Sequence, residues 1–281
     1  MAPVLSALRF AVMILGMAEA AQLARTLSRA LVRPLLDFAL PPRCPGCGTV
    51  TAAPHEFCLA CWSRLDFLGD PCCASCALPF AFDAGADALC GRCIAEPPAF
   101  DRMRAAVAYG EISRKVALKL KYGGRPGVAE TMARFIGRHL GAAGAGEGAL
   151  LAPVPLQRWR IWRRGYNQSA LIASALATRA GLEARLDLIE RIKATPPLRG
   201  MNPRQRAETL RGAFRVNPRH AEAVKGVTIV LVDDVYTSGA TANGCAKALK
   251  RAGAARVDLL CWARVVREES GDAALFVSDP Q

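Results

Sequence analysis

The stretch Val230-Leu-Val-Asp-Asp-Val-Tyr-Thr-Ser-Gly-Ala-Thr241 decides the fold. It grows out of residues 227–232, a run rich in β-branched residues that reads as a buried parallel strand. The strand delivers two adjacent acids, Asp233 and Asp234, at its carboxyl end. Small residues follow, Thr237-Ser238-Gly239-Ala240-Thr241, and a helix is predicted over residues 239–252. Backbone N–H groups at a helix start, joined by the hydroxyls of Thr237, Ser238 and Thr241, make an anion cradle, and Gly239 lets the backbone approach a phosphate closely. The two carboxylates then face ribose hydroxyls or a hydrated Mg²⁺. In open α/β sheets ligands sit at the carboxyl ends of strands, where this motif falls.

Working outward, the pattern alternates. Residues 103–109 read as a strand, and 112–122 and 128–140 as helices about the turn Gly123-Gly124-Arg125-Pro126. A flexible Gly/Ala linker over 141–148 precedes a strand at 150–154, a helix at 166–179 and a strand at 186–192. Residues 195–212, rich in Arg, Pro and Gly, read as a mobile loop, and 256–265 as the last strand. Alternating strands and helices imply a mostly parallel sheet with helices on both faces.

Eleven cysteines set the other half of the argument, since nine lie from Cys44 to Cys93. An odd, clustered set argues against a disulfide framework and for a metal module in a reducing compartment, hence a cytoplasmic location. Four Cys-x-x-Cys knuckles occur: Cys44/Cys47, Cys58/Cys61, Cys73/Cys76 and Cys90/Cys93. Two knuckles close one tetrahedral Zn²⁺ site, so eight ligands make two structural sites. Consecutive pairing is the preferred connectivity, interleaved pairing the alternative. Cys72, beside Cys73, leaves the ligand choice there open, with Cys73 better spaced. Cys245 and Cys261 read as buried apolar groups.

The domains expected are an N-terminal helical extension over 1–42, a double zinc-ribbon module over 43–98, an α/β domain over 99–268 and a disordered tail over 269–281. The apolar run at 10–17 is too short to span a bilayer. With 37 Lys+Arg against 24 Asp+Glu, the formal net charge of +13 favours polyanionic partners. An apolar share of 52% excludes a disordered chain.

The strand–loop–helix motif closely resembles the signature of type I phosphoribosyltransferases, which recognise 5-phosphoribosyl-1-pyrophosphate (PRPP). Together with the knuckles, the stretch Pro153-Val-Pro-Leu-Gln-Arg-Trp-Arg-Ile-Trp-Arg-Arg-Gly-Tyr-Asn-Gln168 resembles the ComF (competence protein F) family, as do Lys121-Tyr122-Gly-Gly-Arg125 and Gly212-Ala-Phe214. The resemblance implies catalytic Asp233 and Asp234, and a PRPP cradle of Val235, Tyr236, Thr237, Ser238, Gly239, Ala240 and Thr241. It makes residues 155–164 a diphosphate-gripping loop with Arg158, Arg163 and Arg164, whose planar forks suit phosphate. Residues 193–212, with Arg199, Arg204 and Arg206, take the place of the family's mobile hood. Leu198 and Thr209 depart from the hood pattern, which removes the usual clues to the acceptor.

Two functions follow from the resemblance. One is Mg²⁺-dependent transfer of a phosphoribosyl group with pyrophosphate release. The other is a non-catalytic competence factor that holds single-stranded DNA through zinc ribbons and basic loops, alongside other competence proteins, with PRPP as ligand or regulator. Trp159 and Trp162, interleaved with arginines, are expected to pack in the core or hood rather than stack on bases.

Overall fold

The computed structural model describes residues 41–146, 148–196 and 200–266. The helix expected before residue 41, the tail, Leu198 and Arg199 lie outside the described residues. The chain divides into two compact units, Met1–Cys58 and Leu59–Gln281. In the first, the described residues form a tight knuckle. Arg43 bridges Val50, the Cys44 amide donates to the Thr49 carbonyl at 2.8 Å, and Gly48 closes the turn at a φ of 88°.

The larger unit carries a five-stranded, fully parallel sheet in the order β1-β7-β6-β2-β3. The strands are β1 (Arg102–Ala108), β2 (Leu150–Pro153), β3 (Glu183–Ala184), β6 (Thr228–Tyr236) and β7 (Arg256–Arg264). A separate antiparallel pair joins β4 (Ile189–Arg191) to β5 (Phe214–Val216). Eight of the nine residues of β7 are buried, so both faces of the central strands are covered, as their largely apolar sequences require. Trp262 on β7 is fully enclosed, and its indole N–H donates to the Ser113 carbonyl at 3.1 Å.

Nine helical segments of the described residues are numbered in chain order: α1 (Leu59–Trp62), α2 (Gly91–Ala95), α3 (Glu111–Tyr122), α4 (Val128–Ile136), α5 (Arg158–Arg164), α6 (Gln168–Ala180), α7 (Pro203–Thr209), α8 (Ala221–Val224) and α9 (Ala240–Arg251). The helix expected over 128–140 is α-helical only to Ile136, and its end tightens into a 3₁₀ turn at Gly137–His139.

Three expectations change. The strand expected at 186–192 is shorter and pairs with β5 outside the main sheet. The stretch 155–164 is not all loop: α5 forms there and closes on Gly165 at a φ of 81°, the left-handed position glycine favours. The stretch 195–212 holds α7, whose start is fixed by a capping box. The Gln205 amide donates to Asn202 Oδ1, and the Asn202 amide donates back to Gln205 Oε1, both at 2.9 Å.

Residues 59–95, expected to belong to a module ending near Pro97-Pro98, lie in the same unit as the sheet. Residues 66–68 run antiparallel along the outer edge of β1, with the Leu68 amide donating to Ala106 at 3.1 Å and the Ala108 amide to Asp66 at 2.8 Å. That contact covers an otherwise open strand edge. The Met103 amide donates to the Ser75 carbonyl at 2.7 Å, which ties the third knuckle to the same strand.

Candidate phosphate-binding site and zinc ribbons

The sheet order creates the site. From β6 the chain turns through α9 to β7 on one side, whereas from β2 it turns through α6 to β3 on the other. The connections diverge between the carboxyl ends of β6 and β2, the switch point where open α/β sheets leave a ligand crevice. From β6 emerge Asp233, Asp234 and the small-residue loop; from β2 emerge residues 154–157 and α5.

Asp233 Oδ1 accepts the Ser169 hydroxyl and the Asp234 amide, each at 2.9 Å. Burial, then the neighbouring Asp234 charge, push the Asp233 carboxyl up to about 7. Asp234 Oδ1 accepts the Val235 amide at 2.9 Å, and its Oδ2 pairs with Lys121 Nζ at 2.9 Å. Two abutting acids with one ammonium form an excess of negative charge that a divalent cation would relieve, so the donor set fits Mg²⁺.

The loop after β6 is shaped by Gly239. Its φ of 77° is left-handed, and a Cβ there would lie 2.5 Å from the Tyr236 hydroxyl. The Tyr236 ring thus sits directly beneath the turn that opens α9. Tyr236 is buried and packs edge-on against Phe100 at 6.1 Å. Thr237 is exposed, Ser238, Ala240 and Thr241 are half-buried, and Val235 lies at the end of β6.

Of the three arginines nominated on α5, the structure ties Arg164 to the site's surroundings. It donates to the Tyr122 hydroxyl at 2.9 Å and stacks over that ring at 4.7 Å, next in sequence to Lys121. Arg158 and Arg163 are exposed. Gln157, which precedes α5, donates to the carbonyl of Thr195 at 2.7 Å and accepts the Trp159 indole N–H at 2.8 Å, tying β2's exit to the segment that follows β4. Arg206 donates to the Met201 carbonyl at 3.0 Å and so holds its own segment. The expected packing of the tryptophans does not hold. Trp162 is 90% exposed and Trp159 52%, on a helix of about two turns none of whose residues is buried.

Lys121, Ser169 and Arg92 were not nominated from sequence. The signal for Lys121 was present in Lys121-Tyr122-Gly-Gly-Arg125, but its partner is remote in the chain. Arg92, between Cys90 and Cys93, donates to the Ser238 carbonyl at 2.7 Å.

The cysteines fall into two sets, Cys44/Cys47/Cys58/Cys61 and Cys73/Cys76/Cys90/Cys93, with the sulfurs of each set within 4.8 Å of one another. Four sulfurs on a tetrahedron with Zn–S of about 2.3 Å stand ~3.8 Å apart. The Sγ separations of 3.5 Å for Cys47–Cys58 and 3.6 Å for Cys76–Cys90 fit that geometry. Burial raises the thiols of Cys76 and Cys93 in the second set, whereas at Cys73 the N–H groups of Cys76, Cys90 and Ser75 outweigh burial and lower the thiol. Cys72 is the opposite case. It donates to Asp70 Oδ1 at 3.3 Å, and burial pushes it up to about 11. The sulfur geometry includes Cys73 in the set and leaves Cys72 outside it. Cys245 and Cys261 are fully buried in the core.

A double zinc ribbon joined to a phosphoribosyltransferase-type α/β sheet defines the class of this protein. Residues 35–94 match the double zinc ribbon domain and residues 166–275 the phosphoribosyl transferase domain. The DNA utilization protein YhgH of Salmonella typhi is 34% identical over 199 residues, which cover 69% of this chain and 84% of that protein. YhgH of Escherichia coli K12 is 30% identical over 234 residues, 82% of this chain and 100% of the relative. Competence protein F of Haemophilus influenzae is 28% identical over 229 residues, 79% and 96% respectively. The chain belongs to this family, the ComF family of competence protein F and YhgH. Among the described residues no helix is long and apolar enough to cross a membrane.

Proposed function

We propose that the chain binds Mg²⁺·PRPP at the carboxyl end of β6 and transfers its phosphoribosyl group to an acceptor, releasing pyrophosphate. The observation that carries the reading is the pairing of Asp233 and Asp234 with a loop opened by Gly239 at a φ of 77° before α9. In this reading the N–H groups of residues 237–241, with the hydroxyls of Thr237, Ser238 and Thr241, hold the 5-phosphate. Asp233 and Asp234 hold the ribose hydroxyls and the hydrated cation, and stabilise positive charge at the ribosyl carbon. Bound Mg²⁺ supplies charge neutralisation of the leaving diphosphate. Arg164, with Arg158 and Arg163 on the same helix, binds that diphosphate. The hood fastened through Gln157 and Thr195 excludes water from the reacting centre. In this reading the chain works in the cytoplasm, where thiols stay reduced and free to hold zinc.

The test is pyrophosphate release from Mg²⁺·PRPP across a panel of bases and amines, with Asp233→Asn/Asp234→Asn as control. Release that one acceptor stimulates and the variant loses supports transfer; no release with any acceptor rejects it.

A second reading has its own observation. Trp162 and Trp159 stand exposed between exposed Arg158 and Arg163, on a chain of net charge +13. Aromatics interleaved with cations can stack on unpaired bases and hold the backbone, which accords with relatives named for competence and DNA utilization. Single-stranded DNA affinity that falls steeply with salt and drops in Trp162→Ala supports this reading. Affinity indifferent to salt rejects it.

A further inference from the structure

Arg264 is a buried cation that, among the described residues, no carboxylate accompanies. It ends β7 at 5% exposure. Its Nε donates to the Cys76 carbonyl at 2.8 Å, Nη1 to the Val265 carbonyl at 3.2 Å, and Nη2 to Cys76 Sγ at 3.3 Å. A buried guanidinium is costly unless opposite charge answers it. The four-thiolate set of the second ribbon supplies that charge, because a divalent ion held by four thiolates is a net dianion. The same guanidinium lies 5.9 Å from the centre of the Tyr236 ring, the ring beneath Gly239.

Two further ties run from the ribbon side to the same loop. Arg92 Nη2, from between two ligand cysteines, donates to the Ser238 carbonyl at 2.7 Å. Just beyond the ribbon, the Ala99 amide donates to Asn243 Oδ1 at 2.8 Å, in the first turn of α9. The carbonyl that Arg92 holds belongs to the residue before the left-handed glycine. Fixing it fixes which way the following N–H groups point.

We propose that the second zinc ribbon sets the conformation of the anion-binding loop. Arg92 and Arg264 are positioning residues that transmit zinc occupancy to residues 236–241. With the metal bound, Arg264 is anchored on Cys76 and supports Tyr236, while Arg92 pins Ser238. With the metal lost, the dianion disappears, Arg264 loses its counter-charge, and both supports loosen. By linkage, the factor by which zinc loss weakens ligand binding equals the factor by which ligand tightens zinc. The identity of that ligand as a diphosphorylated ribose rests on the proposed function; the wiring of the loop does not.

Amide hydrogen exchange on the full-length, zinc-loaded chain tests the wiring without any ligand. In Arg92→Ala, an exposed change that keeps both zinc ions, exchange over residues 237–243 is expected to quicken at least fivefold, with α4 as the unaffected reference. Arg92→Lys restores most of the protection, which a merely structural disturbance would not. Cys93→Ser, depleted of the second zinc, gives a larger acceleration over the same peptide. Exchange within twofold of the parent in Arg92→Ala with zinc retained overturns the proposal, whether or not Cys93→Ser folds. Calorimetry with Mg²⁺·PRPP on the same proteins separates the two claims. If the parent fails to bind PRPP while the exchange result holds, the proposed function falls and the wiring stands.

Discussion

Replacing Asp233 by Asn should make the ligand-free protein more stable at pH 8 while it abolishes ligand binding. Asp233 is raised from an ordinary 3.8 to about 7, first by burial and then by Asp234. Between pH ~4 and ~7 the folded chain therefore keeps a proton that the unfolded chain has released, and stability falls as pH rises through that window. A rise of that size corresponds to a ceiling of ~4 kcal/mol. Asp233 retains some solvent contact, which screens its charge, so about half, ~2 kcal/mol, is the expected gain. Asn keeps the Oδ1 that accepts from Ser169 and from the Asp234 amide, so no hydrogen bond is lost. For a chain of this size the gain is a rise in Tm of about 5 °C. Thermal unfolding of parent and variant at pH 4 and pH 8 reads it, with little difference expected at the lower pH. A variant less stable than the parent at pH 8, or a gain equal at both pH values, refutes the reasoning.

Lys121→Met leaves Asp234 without its ammonium partner, a part-buried pair at 21% and 12% side-chain exposure, and should cost ~2 kcal/mol by denaturant titration. Gly239→Ala forces a Cβ to 2.5 Å from the Tyr236 hydroxyl at a positive φ, and should cost ~2 kcal/mol and displace the loop. A melting curve matching the parent's contradicts that close contact. Metal analysis should find two zinc ions per chain, still two in Cys72→Ser, and one in Cys73→Ser. Equal loss in both variants contradicts the ligand assignment.

Much of this was legible in the sequence because the signals are local. The run from Val230 to Thr241 carries strand, acids, turn and helix start in twelve consecutive residues. The Cys-x-x-Cys spacings carry the knuckles in the same way. The helix α7 was also legible in principle: Asn202-Pro203-Arg204-Gln205 places a cap, a helix-initiating proline and a capping-box glutamine in order. Its high Arg, Pro and Gly content outweighed that signal. Gly165 likewise marks the end of α5. What sequence does not carry is the meeting of remote residues. Arg92 reaches Ser238 across 146 positions, and Ser169 reaches Asp233 across 64. Those contacts depend on strand order, and the separation of the β4–β5 pair from the main sheet depends on it too. Trp162 was misjudged for a related reason: its apolarity reads as core, whereas no residue of α5 is buried in the fold.

The most direct test of the central claim is calorimetric titration of Mg²⁺·PRPP into zinc-loaded protein, with Asp233→Asn/Asp234→Asn alongside. The account predicts micromolar binding that depends on Mg²⁺ and is lost in the variant. No heat of binding from a folded protein carrying two zinc ions, or equal binding by parent and variant, would contradict it.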